Sequence, residues 1–289
     1  MFRTRSLLSI GSLSLALAAG CGGDGDGGTG GTNGGNGGNG TGGTGLEGTV
    51  SLYMYNADLD APGVVVDLIT NDCAGTVLAT QTSDGSGAVS FSGITEEWVG
   101  VHTKPQVGSD GTEYAETWAY NIKVGDANFQ PSPVPAIAGT SIIALTAAIE
   151  ADPPGAGQYV PDATKGRVIG ATFLGDSPRN RKEQGCVTVK LDNDAANDTV
   201  RYATMQGLPS TLDLAPATPS QSGRFWLGNV APGWQTISVY DDGGNVIGQD
   251  GLCVQPRSAA LPGAMQDYGN ISVVAIYIKG ENPAPACAL

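Results

Sequence analysis

Residues 222–239 read Ser-Gly-Arg-Phe-Trp-Leu-Gly-Asn-Val-Ala-Pro-Gly-Trp-Gln-Thr-Ile-Ser-Val. Aromatic and β-branched residues, which favour strands, stand on both sides of a Pro-Gly pair, which favours a turn. The stretch therefore predicts two consecutive strands, at Gly223 to Leu227 and at Gln235 to Tyr240, joined through Pro232 and Gly233.

The same pattern extends on both sides and defines a β-rich block over residues 165–280. Further Pro/Gly turns occur at Leu208-Pro209, Asp242-Gly243-Gly244 and Leu261-Pro262-Gly263. Short strands separated by such turns are typical of a β-sandwich. The other predicted strands are Gly166 to Phe173, Val187 to Leu191, Val200 to Ala203, Asn245 to Gly248 and Ile271 to Ile278.

Residues 46–138 form an earlier block with the same organisation. Its strands follow one another at spacings near ten residues, which again predicts a sandwich. In the last of them, Trp118, Tyr120, Ile122 and Val124 are expected on one face. The predicted strands are Thr49 to Tyr55, Val64 to Ile69, Val77 to Thr82, Ala88 to Phe91, Val99 to Thr103 and Glu116 to Val124.

The two blocks are separated by residues 139–164, which carry a helical pattern. Apolar residues recur at Ile142, Leu145, Ala148 and Ile149, and prolines at 153 and 154 end the stripe. The predicted fold class is all-β, with two sandwiches and a short bridging helix, followed by a C-terminal tail over residues 281–289.

The N-terminus has the layout of a bacterial export signal. Residues 1–20 contain a short basic start, an apolar stretch and small residues, and Cys21 follows directly. This arrangement resembles a lipobox, in which the cysteine receives a diacylglyceryl group. Residues 22–45 contain only Gly, Asp, Thr and Asn. They have nothing to bury, so residues 21–45 are predicted to be the lipidated cysteine and a disordered tether.

Two other outcomes for this leader stay open. Ala18 stands where a lipobox usually has leucine, and Ala16-Leu17-Ala18 also suits ordinary signal peptidase, which would release a soluble product. The other open outcome is that the leader is not cleaved and itself anchors the protein. If Cys21 is lipidated, Gly22 in place of aspartate implies outer-membrane sorting under the rule of enteric bacteria.

Charge narrows the range of partners. The chain has 14 basic and 28 acidic residues, a formal net charge of −14. Removal of residues 1–20 takes away Arg3 and Arg5 and leaves about −16. This balance argues against nucleic acid and against anionic lipid surfaces as charge-driven partners. The expected partners are a membrane through the lipid anchor, and a cell-surface protein or glycan.

Four cysteines remain beyond Cys21, and an even number in an exported chain favours disulfides. Cys186 opens a predicted strand and Cys253 follows a hairpin strand of the same block, so Cys186–Cys253 is the first choice. That pairing leaves Cys73 for Cys287. A Cys253–Cys287 bond is the alternative.

The two blocks also share a longer pattern. One runs from Pro62 to Leu68 and then from Gly75 to Phe91, and the other from Ser222 to Val239 with an Asn-Val-x-Pro-Gly turn. They resemble carboxypeptidase-regulatory-like domains, which are prealbumin-like sandwiches related to transthyretin and Cna B-type repeats. The whole arrangement resembles surface lipoproteins of myxobacteria. The shared motifs shape turns, so the resemblance implies a fold and assigns no functional residue.

No recognised catalytic motif stands out. The only histidine, His102, lies on a predicted strand without a nucleophile elbow, and is expected at the surface or at a sheet edge. Asp58, Asp60 and Asp84 are the candidates for a calcium site, but their spacing matches no defined loop. We therefore expect no catalytic residue, no metal and no cofactor.

These observations predict a non-enzymatic, membrane-anchored surface lipoprotein that displays β-sandwich modules for structural or adhesive contacts. The alternative is a carbohydrate-binding module in which exposed aromatic rings stack on sugars. Its candidate residues are two pairs, Trp118 with Tyr120 and Trp226 with Trp234.

Overall fold

The computed structural model describes residues 48–56, 59–127, 130–141, 162, 164–177, 180–185, 187–192, 200–202, 223–241, 243–256 and 270–278. Within these ranges the chain forms eighteen strands, and the α-helical residues are 139–141. The prediction of an all-β fold is confirmed. The predicted leader, the lipidated cysteine, the tether, most of the bridging helix and the C-terminal tail lie outside the described residues.

In chain order the strands are β1 Gly48–Asn56, β2 Leu59–Asp60, β3 Val65–Thr70, β4 Val77–Thr82, β5 Ala88–Ile94, β6 Trp98–Thr103, β7 Gln106–Val107, β8 Glu113–Tyr114, β9 Thr117–Lys123, β10 Ser132–Pro135, β11 Gly166–Ser177, β12 Asn180–Glu183, β13 Thr188–Leu191, β14 Val200–Tyr202, β15 Arg224–Val230, β16 Gly233–Tyr240, β17 Val246–Val254 and β18 Ile271–Ile278. β4 and β18 have the predicted bounds.

A nine-stranded sheet runs through both blocks in the order β14-β15-β11-β18-β9-β6-β3-β4, with β12 paired to β11. β18 lies at the junction and is parallel to both of its neighbours, β11 and β9. Ile271 is opposite Thr117, and Val273 is opposite Ala119. The two blocks therefore share one hydrogen-bonded sheet.

Two smaller sheets pack on the long sheet. One has the order β10-β1-β2, with β5 paired to β1, and the other has the order β13-β16-β17. The two small sheets lie on opposite faces of the long sheet. Successive residues of a strand point to opposite faces, and those of β3 enter different cores. In β3, Leu68 belongs to the core beneath the β1 sheet and Ile69 to the core beneath the β16 sheet, and both are fully buried.

One expected face is broken in β9. Tyr120 packs in the core of the second block, whereas Ile122 packs in the core of the first. The cause is a bulge at Asn121, whose φ is 61°. The step from Val99 to Val101 advances two residues along β6. The opposite step, from Ile122 to Ala119, advances three residues along β9, so β9 contains one extra residue. The expectation of one apolar face from Trp118 to Val124 is therefore wrong.

Among the described residues, none belongs to a helix that is long and apolar enough to cross a membrane.

Candidate functional site

A row of polar and aromatic side chains crosses the long sheet at the junction of the blocks. Thr80 on β4 is opposite Asp67 on β3, Asp67 is opposite His102 on β6, and His102 is opposite Trp118 on β9. Directly opposite residues project from the same face of a sheet, so these four side chains are neighbours. They form what we call the polar row.

Asp67 is the buried anion of the polar row, with 2% of its surface exposed. Its Oδ1 accepts a hydrogen bond of 2.6 Å from the Thr80 hydroxyl, and its Oδ2 is 2.8 Å from Lys104 Nζ. Burial raises the pKa of the Asp67 carboxyl, but the hydrogen bonds from Lys104 and Thr80 outweigh it and leave the pKa below its usual value. Asp67 is therefore ionised at neutral pH.

His102 lies inside the polar row. Its Nε2 is 2.9 Å from Glu116 Oε1, its Nδ1 is 3.8 Å from Asp67 Oδ2, and its ring stacks on Trp118 at a centroid distance of 3.8 Å. The prediction of a surface or edge position is wrong: His102 is 8% exposed and β6 lies between β3 and β9. Because both ring nitrogens face carboxylates, neither is directed at a nucleophile that it could deprotonate.

A disulfide joins the blocks beside the polar row. Cys73, in the loop between β3 and β4, is bonded to Cys253 on β17, at a sequence separation of 180. The predicted Cys186–Cys253 bond is therefore wrong, and so are the Cys73–Cys287 bond it left and the alternative Cys253–Cys287. The shared sheet brings the β3–β4 loop to β17, which spacing along the chain does not reveal. Cys186 and Cys287 lie outside the described residues.

A hydrogen-bond network accompanies the disulfide. Asn71 and Asn121 bond twice: the Asn71 amide donates to Asn121 Oδ1 and the Asn121 backbone N–H donates to Asn71 Oδ1, each at 2.8 Å. Asn121 Nδ2 also donates to Asp250 Oδ1 at 2.6 Å and to the Gly251 carbonyl at 2.5 Å. The network and the disulfide together tie the β3–β4 loop and β9 to β17. We call them the clasp.

Asp250 is the titratable group of the clasp. Burial raises its pKa to about 6, although the Gly251 N–H and the Asn121 amide stabilise the ionised form. A carboxyl with an ordinary pKa would be fully ionised at pH 6, so the clasp has one acid that titrates close to neutrality.

The candidate stacking residues are not assembled into an exposed platform. Tyr120 and Trp226 are 8% and 4% exposed, because both contribute to apolar cores. Trp118 is partly buried beneath His102 and against Gly75, where an added Cβ would come within 2.9 Å of the ring. Trp234 is 42% exposed. Neither predicted pair therefore has two accessible rings.

The calcium candidates are engaged in their own neighbourhoods. Asp60 accepts a hydrogen bond from the Tyr53 hydroxyl at 2.6 Å, and Asp84 accepts from the Ser86 hydroxyl at 2.7 Å. Asp58 lies outside the described residues. Within the described part of the chain, no three His, Cys, Asp or Glu side chains are grouped as metal ligands.

The roles of Asn71, Asn121 and Asp250 were not predicted from the sequence. A weak signal existed at Asn121, since asparagine is uncommon within strands but tolerates positive φ, which makes it suited to a bulge. Asn71 and Asp250 look like ordinary loop and strand residues, and only their spatial proximity distinguishes them.

No protein-family model and no curated protein matches the sequence. Among solved structures, the shaft pilin SpaA of Lactobacillus rhamnosus GG is 11% identical, with 82% of this chain and 100% of that chain covered and a TM-score of 0.24. The Bacillus anthracis TIE protein is 11% identical, with 81% of this chain and 34% of that chain covered and a TM-score of 0.24. GBS52, the minor pilin of Streptococcus agalactiae, is 9% identical, with 82% of this chain and 99% of that chain covered and a TM-score of 0.22. Scores and identities this low transfer neither a detailed fold nor a function.

The disulfide gives the first prediction. Cys73→Ser should lower the free energy of unfolding by roughly 3–5 kcal/mol, because a bond that closes a loop of 180 residues restricts the unfolded chain strongly. Urea unfolding monitored by tryptophan fluorescence measures the loss. Ala74→Ser, an exposed change in the same loop, should have little effect and is the control. Recovery of Cys253 in any cross-linked peptide other than one with Cys73 would refute the pairing.

Asp250 gives the second prediction. Its folded-state pKa of about 6 exceeds the ordinary value near 4, so its ionisation costs stability above pH 6 and the cost disappears as the pH falls toward 4. Asp250→Asn should therefore stabilise the protein at pH 7.5, by at most about 3 kcal/mol, and this gain should shrink by pH 5. Unfolding free energies of both proteins across this range provide the measurement.

Asp84→Asn is the control of opposite sign. Hydrogen bonds from Ser86 and Ala88 lower the pKa of Asp84, so its ionised form contributes stability that is lost as the pH falls. The variant should be less stable than the wild type at pH 7.5. A pH-independent effect of Asp250→Asn would contradict the assignment of Asp250 as the partly buried acid of the clasp whose pKa is raised.

Proposed function

We propose that this chain is a non-enzymatic surface lipoprotein that presents its two β-sandwich blocks as one rigid body for structural or adhesive contacts. The observation that carries the proposal is the joining of the blocks by a shared sheet and by the clasp. Modules that need to move relative to each other are usually connected by a flexible linker and a small interface. Here a covalent bond and a continuous sheet oppose such motion.

The position of the disulfide supports a role under mechanical load. A pull applied to the tether before β1 and resisted beyond β18 would pass through Cys73 and Cys253. The chain between them, at a sequence separation of 180, cannot extend while the bond is intact. The bond therefore withholds roughly 600 Å of chain, at about 3.3–3.6 Å per residue. A protein that displays contacts at a cell surface benefits from this resistance.

The chemistry of the polar row supports a non-enzymatic role. Its histidine is held between Glu116 and Asp67 and is covered by Trp118. Contacts with the two carboxylates and stacking on Trp118 fix the position of the imidazole. This arrangement suits a packing element at the junction of the blocks better than a general base.

Attachment to the membrane is proposed on the basis of the N-terminal sequence. An export signal, a cysteine directly after small residues and a glycine-rich tether together suit an outer-membrane lipoprotein with its folded part held away from the lipid. The tether would span roughly 25–30 Å on average. The folded part would face the periplasm or the exterior.

Cys21→Ala tests the anchor. We expect the variant to move from the membrane fraction to the soluble fraction, because the thioether can no longer form. Fractionation of cells followed by immunoblotting measures the change. Cys73→Ser, which removes a different cysteine, should leave the protein in the membrane fraction. Retention of the Cys21 variant in the membrane would exclude lipidation as the cause of attachment.

A second candidate function, glycan binding, is favoured by one residue. The ring of Trp234 lies against Gly251, where a Cβ would come within 2.8 Å of it, and meets Tyr120 edge-on at 6.0 Å. The backbone and Tyr120 thus hold in place a ring that is 42% exposed, which suits stacking on a sugar.

Trp234→Ala separates this function from the first. If the ring stacks on a glycan, the variant should lose the signal that the wild-type chain gives on a glycan array. Trp98→Ala, which removes a ring with 37% exposure, should keep it. Absence of any glycan signal for the wild type would eliminate the second function and leave the first.

A further inference from the structure

β4 is the last strand at one end of the long sheet, and among the described strands it has a partner only on its β3 side. Its six residues, Val77 to Thr82, include no charged residue and no proline, although the chain contains 42 charged residues. Natural proteins usually protect an edge strand with charge, proline or a covering element. β4 has one irregularity, a bulge where Val77–Ala79 is opposite Leu68–Ile69, and from Ala79 to Thr82 its pairing with β3 is regular. A regular edge segment without charge or proline can accept an additional strand.

The hydrogen bonds of β3 show which backbone groups of β4 face outward. The side chain of Gln106 bonds both the N–H and the carbonyl of Val65, so the backbone groups of Val65 point toward β6. The carbonyl of Val64 accepts from the Ser83 N–H and so points toward β4. These directions alternate along a strand, which makes Val66 and Leu68 the next residues to face β4.

The register then assigns the residues of β4. Val66 is opposite Gln81 and Leu68 is opposite Ala79, so the backbone groups of Gln81 and Ala79 are used by β3. Thr80 and Thr82 therefore direct their N–H and carbonyl groups away from the sheet. They offer two donors and two acceptors to a docking strand.

Charge at both ends of β4 indicates the chemistry of the partner. Asp72 precedes the strand and Asp84 follows it, and both are exposed. Hydrogen bonds from Thr70 to Asp72 and from Ser86 to Asp84 lower the pKa of each carboxyl, so both are ionised at neutral pH. The edge is therefore an uncharged segment between two negative charges, on a chain whose net charge is −14.

We propose that the outer edge of β4 binds an extended segment of a partner protein by strand addition, through the backbone groups of Thr80 and Thr82. The segment has an uncharged centre with Lys or Arg on either side, to complement Asp72 and Asp84. A second copy of this chain is a poorer match. Antiparallel pairing of two β4 strands brings Asp72 of one copy toward Asp84 of the other, and parallel pairing brings identical carboxylates together.

The proposal of strand addition rests on the proposed display function, since it names the kind of partner that an adhesive surface would meet. The binding test uses soluble protein and needs no membrane. A failure of strand docking would leave the Cys21 fractionation result unaffected, and the reverse also holds.

The experiment is a titration followed by amide chemical shifts. The ¹⁵N-labelled mature chain, with Cys21→Ala to keep it soluble, is titrated with the peptide Lys-Lys-Val-Thr-Val-Thr-Val-Lys-Lys. We expect the largest shifts at the Thr80 and Thr82 amides, weak binding because only four backbone groups are offered, and weakening by salt. The same peptide with Glu in place of every Lys should not bind.

Thr82→Pro is the decisive variant. It removes one outward N–H, and proline is tolerated at such an edge position because β3 does not use that group. We expect binding at least about tenfold weaker, since one of four main-chain bonds is lost and the ring obstructs the edge. Thr82→Val keeps the N–H and should bind like the wild type. Thr80 is left unchanged because its hydroxyl bonds Asp67.

Several outcomes would overturn the proposal: equal binding of the acidic peptide, equal binding by Thr82→Pro, or shifts located away from β4. Concentration-dependent shifts at Thr80 and Thr82 without peptide would also overturn it and would identify a second copy as the occupant. If Thr82→Pro does not fold, a peptide with N-methylated alternate amides replaces it. Undiminished binding of that peptide to the wild type would refute strand addition.

Discussion

The pairing of β18 with strands from both blocks is the constraint on which the rest of the structure depends. β18 is parallel to β11 on one side and to β9 on the other, so its backbone hydrogen bonds connect the two halves of the long sheet. Parallel neighbours need long connections, and here the partners of β18 lie far away in sequence. Once this register is set, the relative position of every other strand in the long sheet follows.

The two cores depend on the same register. The β1 sheet and the β16 sheet cover opposite faces of the long sheet, and neighbouring residues of β3 enter different cores. Near the junction, the polar row crosses the long sheet from Thr80 to Trp118, and Trp118 packs against the same core as Ile69. Asp67 can be ionised there because Lys104 and Thr80 compensate for its burial.

The clasp adds a covalent bond where the backbone pairing is already continuous. The bulge at Asn121 turns a side chain toward β17, and its amide reaches Asp250 and Gly251 while Asn71 satisfies its backbone. Cys73 and Cys253 lie beside this network. Display of a rigid surface is a role that such a junction can support. The edge at β4 lies at the end of the same sheet, and its regular segment from Ala79 to Thr82 carries no charge and no proline.

The amino-acid sequence by itself determined most of the longer strands, because alternation of apolar residues and the Pro/Gly turns are local signals. The short strands β2, β7, β8, β10 and β12 were not predicted. β4 and β18 match their predicted bounds, and Pro232 lies between β15 and β16, which were predicted to be consecutive strands. Only the tertiary structure decided the partners. Cys73 meets Cys253, His102 becomes buried, Trp226 enters a core and Asn121 bonds Asp250 because strands distant in sequence pair in the long sheet or pack against it. Periodicity specifies which residues point the same way, but it carries no information about which distant strand lies alongside.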